Sequence, residues 1–196
     1  HWDLPQHLQD RGGWLNRDTA YRFADYADLI SRELSGRIDA YATLNEPWCS
    51  AWLGYGDGHH APGLAQPRYA TQAMHHLLLA HGLALAPLKA NDPKAQRGIV
   101  ANVGRGSTDT ELPADQHAAR MFETQHNTWV LQPLLQGTYP NALFEQLWPG
   151  AEPLVLDGDE LETLSVAVDG QKVPFSATPT SLTLNDLPAA FMLQTT

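Results

Sequence analysis

Thr43-Leu44-Asn45-Glu46-Pro47-Trp48 is the segment of this sequence best equipped for chemistry. The carboxylate at Glu46 follows Ile38 to Leu44, a run that reads as a short buried strand. The carboxyl ends of parallel strands are where ligand sites collect in α/β sheets and barrels. Asn45, beside it, can donate one hydrogen bond and accept another. Trp48, Trp52 and Tyr55 crowd the neighbourhood. Apolar aromatic walls desolvate a carboxyl group and raise its pKa, as a general acid near neutral pH requires. Their faces also suit the stacking of sugar rings. The bland reading of Glu46 is a surface residue that ends a loop before a proline.

Other candidates are weaker. His76 and His81 stand five apart, which is not the i, i+4 spacing of a helical metal pair. His59, His60 and His75 read as exposed or hydrogen-bonded imidazoles, so no metal is expected. Gly104-Arg105-Gly106-Ser107 lacks the lysine and the length of a phosphate loop and reads as a turn. Cys49 adjoins the Glu46 segment without an evident base and reads as a buried structural thiol.

The elements that must position Glu46 follow from periodicity. Ala20, Phe23, Ala24, Ala27, Ile30 and Leu34 form the stripe of an amphipathic helix, with Asn16 or Asp18 as N-cap and Gly36 just past its end. Gly54 to Gly63 carries too much punctuation for a regular element. A long helix starts after Pro67 and stops at Asn91-Asp92-Pro93, and Gly98 to Asn102 reads as a second buried strand. Pro113 opens a further helix to about Gln132, with Ala118, Met121, Phe122 and Trp129 on its buried side. Helix–strand alternation implies parallel strands with helical crossovers, an α/β fold. Near residue 152 the pattern changes to short segments of period two: Val166 and Val168, Val173 and Phe175, Leu182 and Leu184, Phe191 and Leu193. Asp169-Gly170 is a hairpin signal, so this tail reads as an antiparallel meander.

Composition narrows the partners. At 196 residues, 43% hydrophobic and 17% charged, the chain has enough apolar content for a packed core. Twelve basic against 22 acidic residues give a formal charge of −10, which argues against nucleic acid and anionic membranes. One cysteine excludes an intramolecular disulfide and a multi-cysteine zinc cage. No apolar run approaches the ~18–20 residues of a membrane span. Neither an initiator Met nor a leader is visible, so a cytoplasmic location is expected.

Several motifs agree with one family. His1-Trp2-Asp3-Leu4-Pro5-Gln6, Asp10 to Trp14, Asn45-Glu46-Pro47-Trp48, Leu53-Gly54-Tyr55 and His60-Ala61-Pro62-Gly63 resemble family 1 glycoside hydrolases, the β-glucosidase family, in order and spacing. His75 to Gly82 resembles that family's helix after the fourth barrel strand, and Asn127-Thr128-Trp129 through Gly137-Thr138-Tyr139-Pro140 its later helical region. The similarity covers roughly residues 1–157. It implies residues 1–150 of a partial (β/α)8 barrel, strands 3 to 5 with their helices, and retaining hydrolysis of β-glucosides without cofactor or metal. By motif match Glu46 is the general acid/base and Asn45 binds the sugar 2-hydroxyl. The resemblance also puts substrate-binding His1 and Trp2 at the end of the third strand, with His1 binding a glycone hydroxyl.

The same resemblance exposes what is missing. The family's nucleophile lies in a Thr/Ser-Glu-Asn-Gly motif, which does not occur in this sequence. Asp109 and Glu111 read as solvated loop charges rather than substitutes. Glu152-Pro153-Leu154-Val155-Leu156-Asp157-Gly158-Asp159 resembles both this family and bacterial aminopeptidase N. Leu161 to Leu193 resembles the N-terminal β-domain of that peptidase, although its His-Glu-x-x-His zinc motif is absent. Residues 151–196 are therefore expected to form an antiparallel β segment of different ancestry. The alternative to a glycosidase is a non-catalytic fragment or chimera that binds sugar weakly or acts only with a partner. Strands 3 to 5 alone would leave open sheet edges, which invite self-association.

Overall fold

The computed structural model describes residues 2–140 and 142–143, and beyond them the backbone of five short strands. Two compact units divide the chain, His1–Asn102 and Val103–Thr196.

The first unit is built on a helix pair and a parallel strand pair. Pro5 leads into the short helix α1, Gln6–Gln9, and a 3₁₀ turn follows at Gly13–Leu15. Gly12 and Gly13 both have positive φ, and a Cβ on Gly13 would meet the Tyr55 hydroxyl at 2.6 Å. Only glycine fits that approach. Helix α2, Asp18–Glu33, begins where the Asn16 side-chain oxygen accepts the Asp18 N–H at 2.9 Å. Gly36, with φ +74°, turns the chain out beyond its end.

Strand β1, Ala40–Asn45, leads by way of helix α3, Pro67–Asn91, to the parallel strand β2, Gln96–Val100. Ala27 of α2 meets Ala84 and Leu88 of α3, with Phe23 and Tyr41 packed against them. Small side chains on both helices bring the backbones close. Asp92, buried just past α3, accepts the Gly36 N–H at 3.0 Å and the Tyr41 hydroxyl at 3.3 Å. Asn91 donates to the Asp28 carboxylate at 2.8 Å and to the Ser31 hydroxyl at 3.0 Å. Two adjacent polar residues thus lock the ends of α2 and α3 to the start of β1.

The second unit contains helix α4, Pro113–Glu123, a π-helical turn at Thr124–Thr128, and helix α5, Trp129–Gln136. A single helix with one buried face is the expectation here. The π turn inserts i→i+5 bonding and changes the helical phase. Trp129 is accordingly buried, whereas Ala118 and Phe122 are exposed and Phe122 stacks on His126. The loop before α4 is pinned to it: Gly106 N–H donates to Glu123 at 2.8 Å and Gly104 N–H to Asn127 at 2.9 Å.

Two parts of the expected architecture are corrected. Two complete barrel strands and the end of a third are expected, and the described parallel sheet has the two, β1 and β2, but no third. Trp2 to Pro5, assigned to the end of a third strand, run as an irregular lead into α1 and join no ladder. The tail is not a meander either. Its strands are β3 (Val155–Asp157), β4 (Val166–Val168), β5 (Gln171–Val173), β6 (Phe175–Ala177) and β7 (Ser181–Leu184). They form two separate sheets, ordered β3-β7-β6 and β4-β5. A meander pairs each strand with the next, whereas β3 pairs with β7 and only the β4–β5 and β6–β7 pairs join neighbours. Period-two patterning fixes which residues share a face but not which strand lies beside which.

Candidate active site

Glu46 sits one residue beyond β1, and a fault in the ladder decides how it is presented. Ala42 pairs with Gly98 and Asn45 with Val100, so three steps along β1 face two along β2. This one-residue bulge re-aims the strand end, a common device beside functional sites. It is held by side chains. The Thr43 hydroxyl contacts the Gly98 carbonyl at 3.2 Å and His81 Nδ1 at 2.7 Å. A hydroxyl has one proton, and a carbonyl can only accept. Thr43 therefore donates to Gly98 and accepts from Nδ1–H, which fixes the His81 tautomer. Burial lowers the pKa of this imidazole and favours its neutral form.

Past the bulge, the Glu46 N–H donates to the Val100 carbonyl at 2.7 Å, one last bond to β2. Glu46 has φ +49°, a left-handed conformation that non-glycine residues rarely adopt. Such strain persists only where the surroundings enforce it, and it concentrates at functional sites. The fully buried Pro47 and a Cys49 N–H bond to the Glu46 carbonyl at 2.8 Å enforce it from the other side. The chain then enters a π-helical segment, Cys49–Gly56, where only a punctuated loop is expected from Gly54 onward.

Trp2 approaches from the opening segment. Its indole N–H donates to the Asn45 carbonyl at 3.1 Å, and its ring lies against His60 with centroids 5.0 Å apart. Trp2, Asn45 and Glu46 are thus neighbours. His1 lies outside the described residues. Tyr55 does not join them. It is buried, its hydroxyl accepts the Trp14 N–H at 3.0 Å and donates to Gln9 at 3.3 Å, and it braces the Gly13–Leu15 turn. Asp109 and Glu111 are exposed in the second unit.

The histidines have separate duties. His76 Nδ1–H donates to the Trp14 carbonyl at 2.8 Å, His59 contacts Asp57 at 3.0 Å, and His60 packs on Trp2. One contact escaped the sequence reading. The Cys49 thiol lies 3.4 Å from Glu46 Oε2, and Asn102 Nδ2 donates to its sulfur at 3.7 Å. The i, i+3 spacing of Glu46 and Cys49 was the available signal, and it is readable only once a helical turn is known to follow Pro47.

Two parallel strands joined by a helical crossover define a partial α/β barrel, and a strained carboxylate stands at the end of one of them with an amide and an exposed indole beside it. The sequence matches the profile of Glycosyl hydrolase family 1 over residues 1–180. The chain belongs to that family. A bifunctional β-D-glucosidase/β-D-fucosidase of Bifidobacterium breve is 43% identical, over 74% of this chain and 31% of its own length. A β-glucosidase of an Agrobacterium strain is 38% identical, over 86% of this chain and 36% of its own. Among solved structures, a psychrophilic β-glucosidase from Micrococcus antarcticus superposes with a TM-score of 0.72 and 42% identity, covering 76% of this chain and 32% of its own. The chain spans about a third of the length of the curated relatives it matches. The family match continues to residue 180, well into the stretch assigned above to aminopeptidase N, and these comparisons give that second resemblance no support.

Proposed function

We propose that this chain carries the acid/base half of a retaining β-glucosidase site. Glu46 is the general acid/base and Asn45 binds the sugar 2-hydroxyl. Trp2, with His1 before it, serves the glycone side. The observation that carries this reading is the left-handed backbone at Glu46, maintained by its bonds to Val100 and Cys49 and set beside the Trp2–Asn45 bond.

In a retaining mechanism the Glu46 carboxyl protonates the leaving glycosidic oxygen as that C–O bond breaks. A second carboxylate, about 5–5.5 Å away, forms the bond to the anomeric carbon. Water then displaces that carboxylate from the sugar and gives its proton to Glu46. The sequence lacks the family's Thr/Ser-Glu-Asn-Gly motif, so the covalent step needs a nucleophile supplied by further polypeptide. β1 and β2 each have one edge unpaired among the described residues, and strand edges of this kind accept further strands.

The discriminating experiment is release of an aryl alcohol from an aryl β-glucoside, with Glu46→Gln in parallel. It is run on the chain alone and on the chain mixed with a polypeptide carrying the rest of a family 1 barrel. Hydrolysis that requires the second polypeptide and is lost in Glu46→Gln supports the reading. Hydrolysis that survives the substitution overturns it.

A further inference from the structure

We propose that Cys49 is a positioning residue for Glu46: its thiol donates to Oε2 and leaves Oε1 as the oxygen that carries the exchangeable proton. This assignment rests on the reading of Glu46 as the acid/base.

The geometry is a short relay. Asn102, two residues beyond β2, donates from Nδ2 to the Cys49 sulfur at 3.7 Å. Cys49 donates from Sγ to Glu46 Oε2 at 3.4 Å. Sulfur accepts on one side and the thiol hydrogen points to the carboxylate on the other, so each bond polarises the next. The Cys49 N–H is already bonded to the Glu46 carbonyl at 2.8 Å, and the Glu46 N–H to Val100 at 2.7 Å. The backbone of Glu46 is therefore fixed at both ends, and the thiol fixes its tip. A carboxyl group with one oxygen engaged by a donor places its own proton on the other.

The thiol suits this role because it keeps its proton. Burial, then the hydrogen bond to Glu46 and that residue's charge, push its pKa up to about 11. Glu46 is the titratable group that acts on it among the described residues. A thiol so placed is a donor throughout the neutral range and not a nucleophile.

The chain has one cysteine, so its infrared spectrum contains a single S–H stretching band. Donation to a carboxylate lowers the frequency of that band. The folded chain should show it below its position in the urea-unfolded chain, and Glu46→Gln should move it back upward. In an alkaline titration the band should disappear with a midpoint near 11 in the wild type and at a lower pH in Glu46→Gln. A band at the same frequency in the folded and unfolded chains overturns the contact without any variant. An unchanged band and midpoint in a folded Glu46→Gln chain overturn it as well. The measurement does not depend on turnover. If hydrolysis survives Glu46→Gln while the band shifts, the thiol contact stands but the acid/base reading, and the positioning role with it, fails.

Discussion

The Trp2 indole donates to the main-chain carbonyl of Asn45 at 3.1 Å, so one bond ties the opening segment to the residue before Glu46 across 43 positions. Its energetic weight is limited, since Trp2 is 37% exposed and water can replace the lost donor. Trp2→Phe keeps the ring and removes the N–H. A loss of about 1 kcal/mol or less in urea unfolding is expected. A loss several times larger would show that the segment is a structural anchor rather than a wall of the site.

Asp92 is a different case, a buried carboxylate that accepts from an exposed Gly36 N–H and a half-buried Tyr41 hydroxyl. Asp92→Ala removes the shared acceptor of the Gly36 N–H and the Tyr41 hydroxyl and loosens the junction of α2, α3 and β1. The expected destabilisation is about 1.5–3 kcal/mol, since water can reach the freed donors in part. Tyr41→Phe removes one donor while Gly36 keeps its acceptor, and should cost about 1 kcal/mol. Chemical denaturation of both variants checks the order. Equal losses would mean that the hydroxyl, not the backbone N–H, dominates.

Acid should weaken the fold through His75. Burial, with smaller effects of His76 and Arg17, brings its imidazole down from 6.5 to about 4. The unfolded chain then binds a proton at a higher pH than the folded one. Stability is fully present above pH 6.5 and is lost progressively as pH falls toward 4. The loss amounts to at most about 3 kcal/mol. His81, lowered by burial alone, adds in the same direction. Urea midpoints at pH 7 and 4.5 should differ more for the wild type than for His75→Phe. Identical pH slopes would remove His75 as the cause.

The helices are legible in the sequence because their signals are local. Pro67 and Asn91-Asp92-Pro93 bracket α3, and Asn16 and Gly36 bracket α2, as their backbone preferences require. The Glu46 segment is also legible, since its motif lies within a few residues. The bulge that aims it is not. It depends on His81, 38 positions away from Thr43, which the sequence offers only as a histidine out of register for a metal pair. Tyr55 misleads for the same reason. Close in sequence to Glu46, it is drawn into the core by Gln9 and Trp14. The tail's pairing of β3 with β7 is a long-range choice that alternation alone leaves open.

The bulge itself can be tested through Thr43. Thr43→Val preserves shape and β-branching but removes the hydroxyl that joins His81 to Gly98. His81 Nδ1–H then loses its acceptor in a buried setting, at an expected cost of about 1–3 kcal/mol. Thr43→Ser should recover most of it. Nitrogen-15 chemical shifts of His81 should report an Nδ1–H tautomer in the wild type. An Nε2–H tautomer would mean that the hydroxyl donates to His81 and that Gly98 is not its acceptor.

The left-handed backbone of Glu46 permits a sharper test, because it reverses an ordinary preference. At most strand ends glycine is less stable than alanine by about 0.5–1 kcal/mol, since glycine loses more conformational entropy on folding. At φ +49° the Cβ of any L residue is strained by about 1–2 kcal/mol, and glycine escapes that strain. Glu46→Gly and Glu46→Ala both delete the carboxylate and its contact with Cys49, so their difference isolates the backbone. Glu46→Gly should be the more stable of the two by about 0.5–1 kcal/mol in urea unfolding. Asn, which tolerates this conformation with a side chain present, should fall between them or match glycine. If alanine proves more stable than glycine, the backbone at this position is not strained in solution. The principal support for Glu46 as an enforced, functional carboxylate would then be lost.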